Sequence, residues 1–164
     1  MNALDTSKAL ASLLITRGWK IALAESCTGG LVCATLTELP GSSDWFERGY
    51  ITYSNLAKTE CLGVAKELIE SHGAVSEAVA KAMAEGAQQN AKVKSAISIT
   101  GIAGPSGGSA EKPVGTVCFG WAIQNKGGDV TTTCDTKLFQ GDRQAIREQA
   151  TNFALTKLLQ LLSD

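Results

Sequence analysis

Along this chain the spacing of apolar residues switches between a helical period near 3.6 and a strand period of 2. Leu10, Leu13 and Leu14 share one face of a first helix, which Asp5 or Thr6 can cap and Gly18 ends. Residues 20–26 read as a short, mostly apolar strand, and Leu31 to Leu39 as a helix closed by Pro40. The turn-rich stretch PGSSDW leads to a second strand, YITYS, at residues 50–54. Ser54 or Asn55 can cap a short helix beyond it, and KELIESHG reads as another that stops at Gly73. Ser76 caps a longer helix with Val79, Met83 and Ala87 on one stripe. In SAISIT, residues 95–100, Ile97 and Ile99 alternate with polar neighbours.

Residues 101–115, GIAGPSGGSAEKPVG, read as a loop. After it Val117, Phe119, Trp121 and Ile123 alternate with Cys118, Gly120 and Ala122, which predicts a buried strand with one bulky and one small face. NKGGD is a turn, and the threonine-rich segment 130–139 is the antiparallel partner of that strand. A last helix from about Asp142 places Ile146, Ala150, Phe153, Ala154, Leu158 and Leu161 on one face. Strands alternating with helices and then a hairpin predict a three-layer α/β/α sandwich. Its sheet is mixed and includes a C-terminal antiparallel hairpin. No repeat or linker interrupts the pattern, so residues 1–164 are expected to form one domain.

Composition narrows the function classes. A hydrophobic fraction of 44% with 19% charged residues is that of a folding chain. The net charge of −1 argues against binding nucleic acid by bulk charge. No apolar run reaches the roughly 18 residues of a membrane span, and MNALDTSKAL lacks the basic and apolar regions of a signal peptide. The five cysteines are odd in number and form no CxxC, so neither a disulfide framework nor a zinc site is expected, and the expected compartment is a reducing cytoplasm.

The chemistry centres on ESCTGG, residues 25–30, which lies between the first strand and its following helix. In open α/β sheets ligands bind beyond the carboxyl ends of the strands. Three segments are expected to meet there: Ser26 to Gly30; Tyr53, Ser54, Asn55 and Lys58; and the loop from Thr100 and Gly101 to Gly108. Ser26 is either a strand-end hydroxyl that satisfies a helix terminus or a nucleophile in need of a base. The one histidine, His72, stands at a predicted helix C-terminus, where capping is its plain role, and there is no GxSxG. Lys58 is the other candidate base. In the first turn of a helix the dipole disfavours its ammonium, and burial lowers its pKa further; otherwise it is an ordinary solvated lysine. Tyr53 can relay a proton or simply pack. Cys27 is the rival nucleophile or a small buried hydrophobe. If extended geometry persists, Ser26 and Cys27 point to opposite sides and only one faces the crevice. Gly29–Gly30 and TGIAGPSGG offer backbone N–H groups to a phosphate, but neither matches GxxxxGK[ST] or GxGxxG. Arg143, at the start of the last helix, can clamp a phosphate or lie on the surface.

Taken together, ALAESCTGGLV, GYITYSNLAKTECLGV, HGAVSEAVAKAMAEGA, ITGIAGPSGGSAEKPVGTV and GDRQAIREQA resemble the CinA C-terminal domain family, in order and over nearly the whole chain. Stand-alone, PncC-type members convert nicotinamide mononucleotide and water to nicotinic acid mononucleotide and ammonia. Longer members carry a further N-terminal domain, and the chain is expected to be of the stand-alone kind. The resemblance implies Ser26 as nucleophile, assisted by Tyr53 and Lys58. It implies substrate contacts from Thr28, Gly29 and Gly30, from the Thr100–Pro105 loop including Gly101, Gly104 and Pro105, and from Arg143; Asn55 joins them by position. It further implies a homodimer acting on a small nucleotide, with no metal or organic cofactor. The alternative kept open is a nucleotide-sensing interaction module of a competence or DNA-damage pathway, without catalysis.

Overall fold

The computed structural model describes residues 1–164. Helix α1, Ala3–Arg17, is capped by Asn2, whose side chain accepts from the Asp5 N–H at 2.8 Å. The expected caps, Asp5 and Thr6, lie inside the helix, where Asp5 faces the positive end of the dipole. Gly18 ends α1 at φ +67°, a left-handed conformation that glycine adopts without strain. Strand β1, Ile21–Glu25, leads into α2, Leu31–Thr37. That helix stops two residues earlier than the apolar pattern implies. Leu39 precedes Pro40, and a residue before proline is pushed out of the helical region.

A single 3-10 turn, Ser42–Asp44, precedes β2, Phe46–Ile51. This strand begins four residues before the expected one. Its place is set by parallel pairing with β1, from Ile21↔Phe46 to Glu25↔Ile51, and it stands at the edge of the sheet. Edge strands bury little, so FERGYI carries no clean alternation to read. Ser54 is excluded from the strand because it caps α3, Asn55–Leu62, by accepting from the Ala57 N–H. Then follow α4, Lys66–His72, α5, Glu77–Ala91, and β3, Ser95–Gly101. The hairpin β4, Thr116–Gln124, with β5, Val130–Leu138, and the long α6, Arg143–Ser163, complete the chain.

The five strands run in the order β2-β1-β3-β4-β5. β1 is parallel to both neighbours, and β4 is antiparallel to β3 and β5. The sheet divides two cores, which makes the expected three layers. Helices α1, α2 and α6 cover one face through Leu10, Leu14, Val32, Leu36, Ile146 and Leu158, against Leu23, Ile97, Phe119 and Trp121. On the other face Leu62, Ile69, Val79 and Met83 of α3, α4 and α5 pack on Ala22, Ala24 and Ala96. The small face of β4 has a reason. A Cβ at Gly120 would stand 2.7 Å from the Ala80 carbonyl oxygen, so α5 lies against bare backbone there.

Candidate active site

The strand period decides where each residue of ESCTGG goes. Leu23 and Glu25 belong to the face covered by α1, α2 and α6, whereas Ala22 and Ala24 face α3 to α5. Ser26, one step past the strand, continues the second set and meets α3. Cys27 returns to the first set and joins its core.

Lys58 is the fourth residue of α3 and its amine reaches back to Ser26. Its Nζ lies 3.0 Å from Ser26 Oγ, and donates to the carbonyls of Thr52 at 2.9 Å and Tyr53 at 3.1 Å. The residue is only 1% exposed. Burial pushes its pKa below the ordinary lysine value, and little charge stands near enough to resist it. The three contacts fit both protonation states. A neutral amine gives its two N–H bonds to the carbonyls and turns its lone pair to the serine O–H. An ammonium gives the third N–H to Ser26 Oγ. Ser26 can also donate to the Tyr53 carbonyl, at 3.3 Å.

Cys27 is buried at the back of the same cavity, and burial raises its thiol to about 12. A thiol of that kind is not a nucleophile near neutral pH. His72 ends α4 and takes no part in the cavity.

Ser26, Cys27, Tyr53, Asn55, Lys58, Thr100, Gly101 and Arg143 line one cavity of about 200 Å³, so the three predicted segments do converge. Thr100 Oγ1 is spent on the Ala74 carbonyl at 2.9 Å, which ties β3 to the turn before α5. Arg143 donates to the Gly104 carbonyl at 2.7 Å and to the Tyr53 hydroxyl at 3.3 Å. Tyr53 is 61% exposed, and only its backbone carbonyl touches the serine and the lysine. Its phenol stands at the cavity mouth with Arg143.

Thr28, Gly29, Gly30, Gly104 and Pro105 do not line the cavity. Thr28 is buried with its hydroxyl unpartnered. The Gly29 N–H goes to the Ser26 carbonyl, and the Gly30 N–H to Glu25. The glycine pair therefore presents no open phosphate cradle. The N–H of Cys27, directly after Ser26, donates to no carbonyl or side chain of another residue.

Two residues of the site escaped the sequence reading. Glu25 is fully buried, and its carboxylate accepts from the N–H groups of Gly30, Val32 and Cys33 at 3.0, 3.1 and 2.9 Å. An acid directly before a helix-opening glycine turn was the available signal. Arg147 donates from Nε to the Cys27 carbonyl at 3.1 Å and from Nη2 to the Thr28 carbonyl at 2.9 Å. Its spacing of four from Arg143 on one helix was the signal there.

A serine and a buried lysine in contact beyond the carboxyl end of a parallel strand define an α/β protein equipped for acyl transfer. Residues 4–162 match the model of the CinA C-terminal domain, and the chain belongs to that family. It is 50% identical over 155 residues to the nicotinamide-nucleotide amidohydrolase PncC of Enterobacter agglomerans, covering 94% of this chain and 92% of that one. It is 51% identical over 157 residues to a CinA-like protein of Syntrophobacter fumaroxidans, where it covers 96% of itself but 36% of the longer relative. The fold superposes with a TM-score of 0.92 on the crystal structure of a competence or damage-inducible protein from Enterobacter asburiae, at 37% identity over 99% of both chains.

Proposed function

We propose that this protein hydrolyses the carboxamide of nicotinamide mononucleotide to nicotinic acid mononucleotide and ammonia. The observation that carries the mechanism is the 3.0 Å contact between Lys58 Nζ and Ser26 Oγ in a buried site. The substrate class is supported by the 50% identity, over nearly the full length of both chains, to a protein named as a nicotinamide-nucleotide amidohydrolase.

Neutral Lys58 takes the Ser26 proton as the serine oxygen attacks the carboxamide carbon. The resulting oxyanion is received by the Cys27 N–H. Lys58, now an ammonium, returns its proton to the departing nitrogen, and ammonia leaves. The same amine then activates water, which releases the acid from the acyl-serine. Arg143 holds the phosphate at the mouth, steadied by Gly104 and by the Tyr53 phenol, while Asn55, Thr100 and Gly101 bound the substrate. Thr28 and Gly29 shape the serine turn through their backbone, and Pro105 supports Gly104. The reading includes a homodimer in the cytoplasm. It is supported by the free β2 edge with Ile51 exposed beside Tyr53 and Leu56, and by five unpaired cysteines. No helix is long and apolar enough to cross a membrane.

The test is incubation of the purified protein with nicotinamide mononucleotide, following both products. Ammonia and nicotinic acid mononucleotide in equal amounts are expected. Tight nucleotide binding with neither product would replace the enzyme with a nucleotide-sensing module, the role that the competence and damage names of several relatives suggest.

A further inference from the structure

We propose that Glu25 and Arg147 are positioning residues that clamp the turn carrying Ser26, one through N–H groups and the other through carbonyls. The inference rests on the reading of Ser26 as the nucleophile.

The turn between β1 and α2 carries two sets of backbone groups outside the strand and helix ladders, N–H groups and carbonyls, of which the Thr28 carbonyl also accepts from the Leu31 N–H. The donors are the N–H groups of Gly30, directly before α2, and of Val32 and Cys33 in its first turn. Glu25 takes all three, on both carboxylate oxygens, and no lysine or arginine pairs with it. A fully buried carboxylate is held here by three N–H groups and the helix dipole, with the Cys33 thiol beside it. The acceptors are the carbonyls of Cys27 and Thr28, the two residues after the nucleophile. Arg147 takes both with adjacent nitrogens of one planar guanidinium, some 120 residues away in sequence. Two opposite charges thus grip a short turn on complementary groups. A lysine in place of Arg147 has a single nitrogen and cannot reproduce the fork.

The clamp links the two halves of the site. Ser26 must meet Lys58, which comes from the α3 side of the sheet. The grip on its turn comes from the opposite side, through α2 and α6. Arg143 and Arg147 stand one helical turn apart on α6. The first faces the cavity, and the second holds the serine turn. The distance between the nucleophile and the substrate-facing cation is therefore set by one rigid helix. Arg147 does not line the cavity that holds Ser26 and Lys58, which separates its role from that of Arg143. Displacement of a nucleophile by about 1 Å can lower a rate by about 10²-fold.

The test compares Arg147→Ala, Arg147→Lys and Glu25→Gln with the wild type, with circular dichroism to confirm folding. One readout is kcat and KM on nicotinamide mononucleotide. The other is the rate at which a fluorophosphonate modifies Ser26, followed by intact mass, which needs no particular substrate. Arg147→Ala is expected to lower kcat by about 10- to 100-fold and to slow the modification in parallel, with KM within about threefold. Added guanidinium should restore part of both rates. Arg147→Lys should stay well below wild type, and it carries the test if the alanine variant fails to fold. Glu25→Gln keeps an acceptor for Gly30 and Val32 but turns an amide N–H₂ against Cys33, and should show the same split. Unchanged rates, a rise in KM alone, or a kcat loss that guanidinium leaves untouched would overturn the clamp. If the wild type is modified at Ser26 but releases no ammonia, the substrate assignment fails, and the modification rates still decide the clamp. If the wild type is not modified at all, the nucleophile and the clamp fail together.

Discussion

Replacing Lys58 with methionine removes the amine but keeps an unbranched chain of similar reach. General base catalysis contributes about 10²–10⁴ in rate. With the amine in direct contact with Ser26 Oγ, kcat/KM should fall by at least about 10³-fold. The effect on stability is smaller because opposing terms meet. The Thr52 and Tyr53 carbonyls lose a buried donor, at about 1–3 kcal/mol each. The variant no longer has to bury an amine, which offsets part of that loss. The balance shifts with pH in a definite direction. Lys58 has a folded pKa below its unfolded value of about 10.5. Well below both values the amine is charged in either state, and the native state carries the burial penalty. As pH rises from the folded pKa toward about 10.5, the unfolded chain binds more protons, so wild-type stability increases. The wild type should therefore gain on Lys58→Met across that alkaline window, as read by urea unfolding at pH 7 and pH 10. The same deprotonation makes the base, so wild-type kcat/KM should climb with pH through an inflection below 10.5. A profile with no rise anywhere below 10.5, or a methionine variant with more than about a tenth of wild-type kcat/KM, would refute the base.

Cys27→Ala should keep kcat/KM within about threefold and lower stability by about 1 kcal/mol, because the buried thiol packs and stays protonated; a melting curve and initial rates check both. Arg143→Ala should raise KM for the nucleotide by about 10- to 100-fold, as for loss of one charge-assisted contact, and should affect the phosphate-free nucleoside far less. Equal damage on both substrates would remove its phosphate role. Turnover should survive EDTA, since no three His, Cys, Asp or Glu side chains converge in the protein; activity lost to chelation and restored by one added metal would contradict this.

The fold was legible wherever one face of an element is buried. The β4 alternation from Val117 to Ile123 and the α5 stripe of Val79, Met83 and Ala87 both reappear in the two cores. The order of layers followed from strand and helix succession. What could not be read lies at the edges. β2 takes its register from pairing with β1, a long-range choice that leaves no period in FERGYI. Ser26, Lys58 and Arg143 could be nominated because their chemistry is uncommon at such positions, and all three line one cavity. Glu25 and Arg147 were missed because they act on backbone groups, which a sequence does not display. The same blindness made Gly29–Gly30 look like a phosphate cradle. Only the structure reveals that the Gly30 N–H is already held by the acid five residues before it.

The most direct test of the central claim is kcat/KM for nicotinamide mononucleotide deamidation in Ser26→Ala, measured as ammonia release, with the fold and nucleotide binding checked in parallel. Ser26 Oγ is the only hydroxyl in contact with Lys58, and its removal takes away one oxygen atom from the end of a strand. The account predicts a loss of at least about 10³-fold with binding largely retained. A folded Ser26→Ala protein that deaminates the nucleotide at the wild-type rate would contradict it.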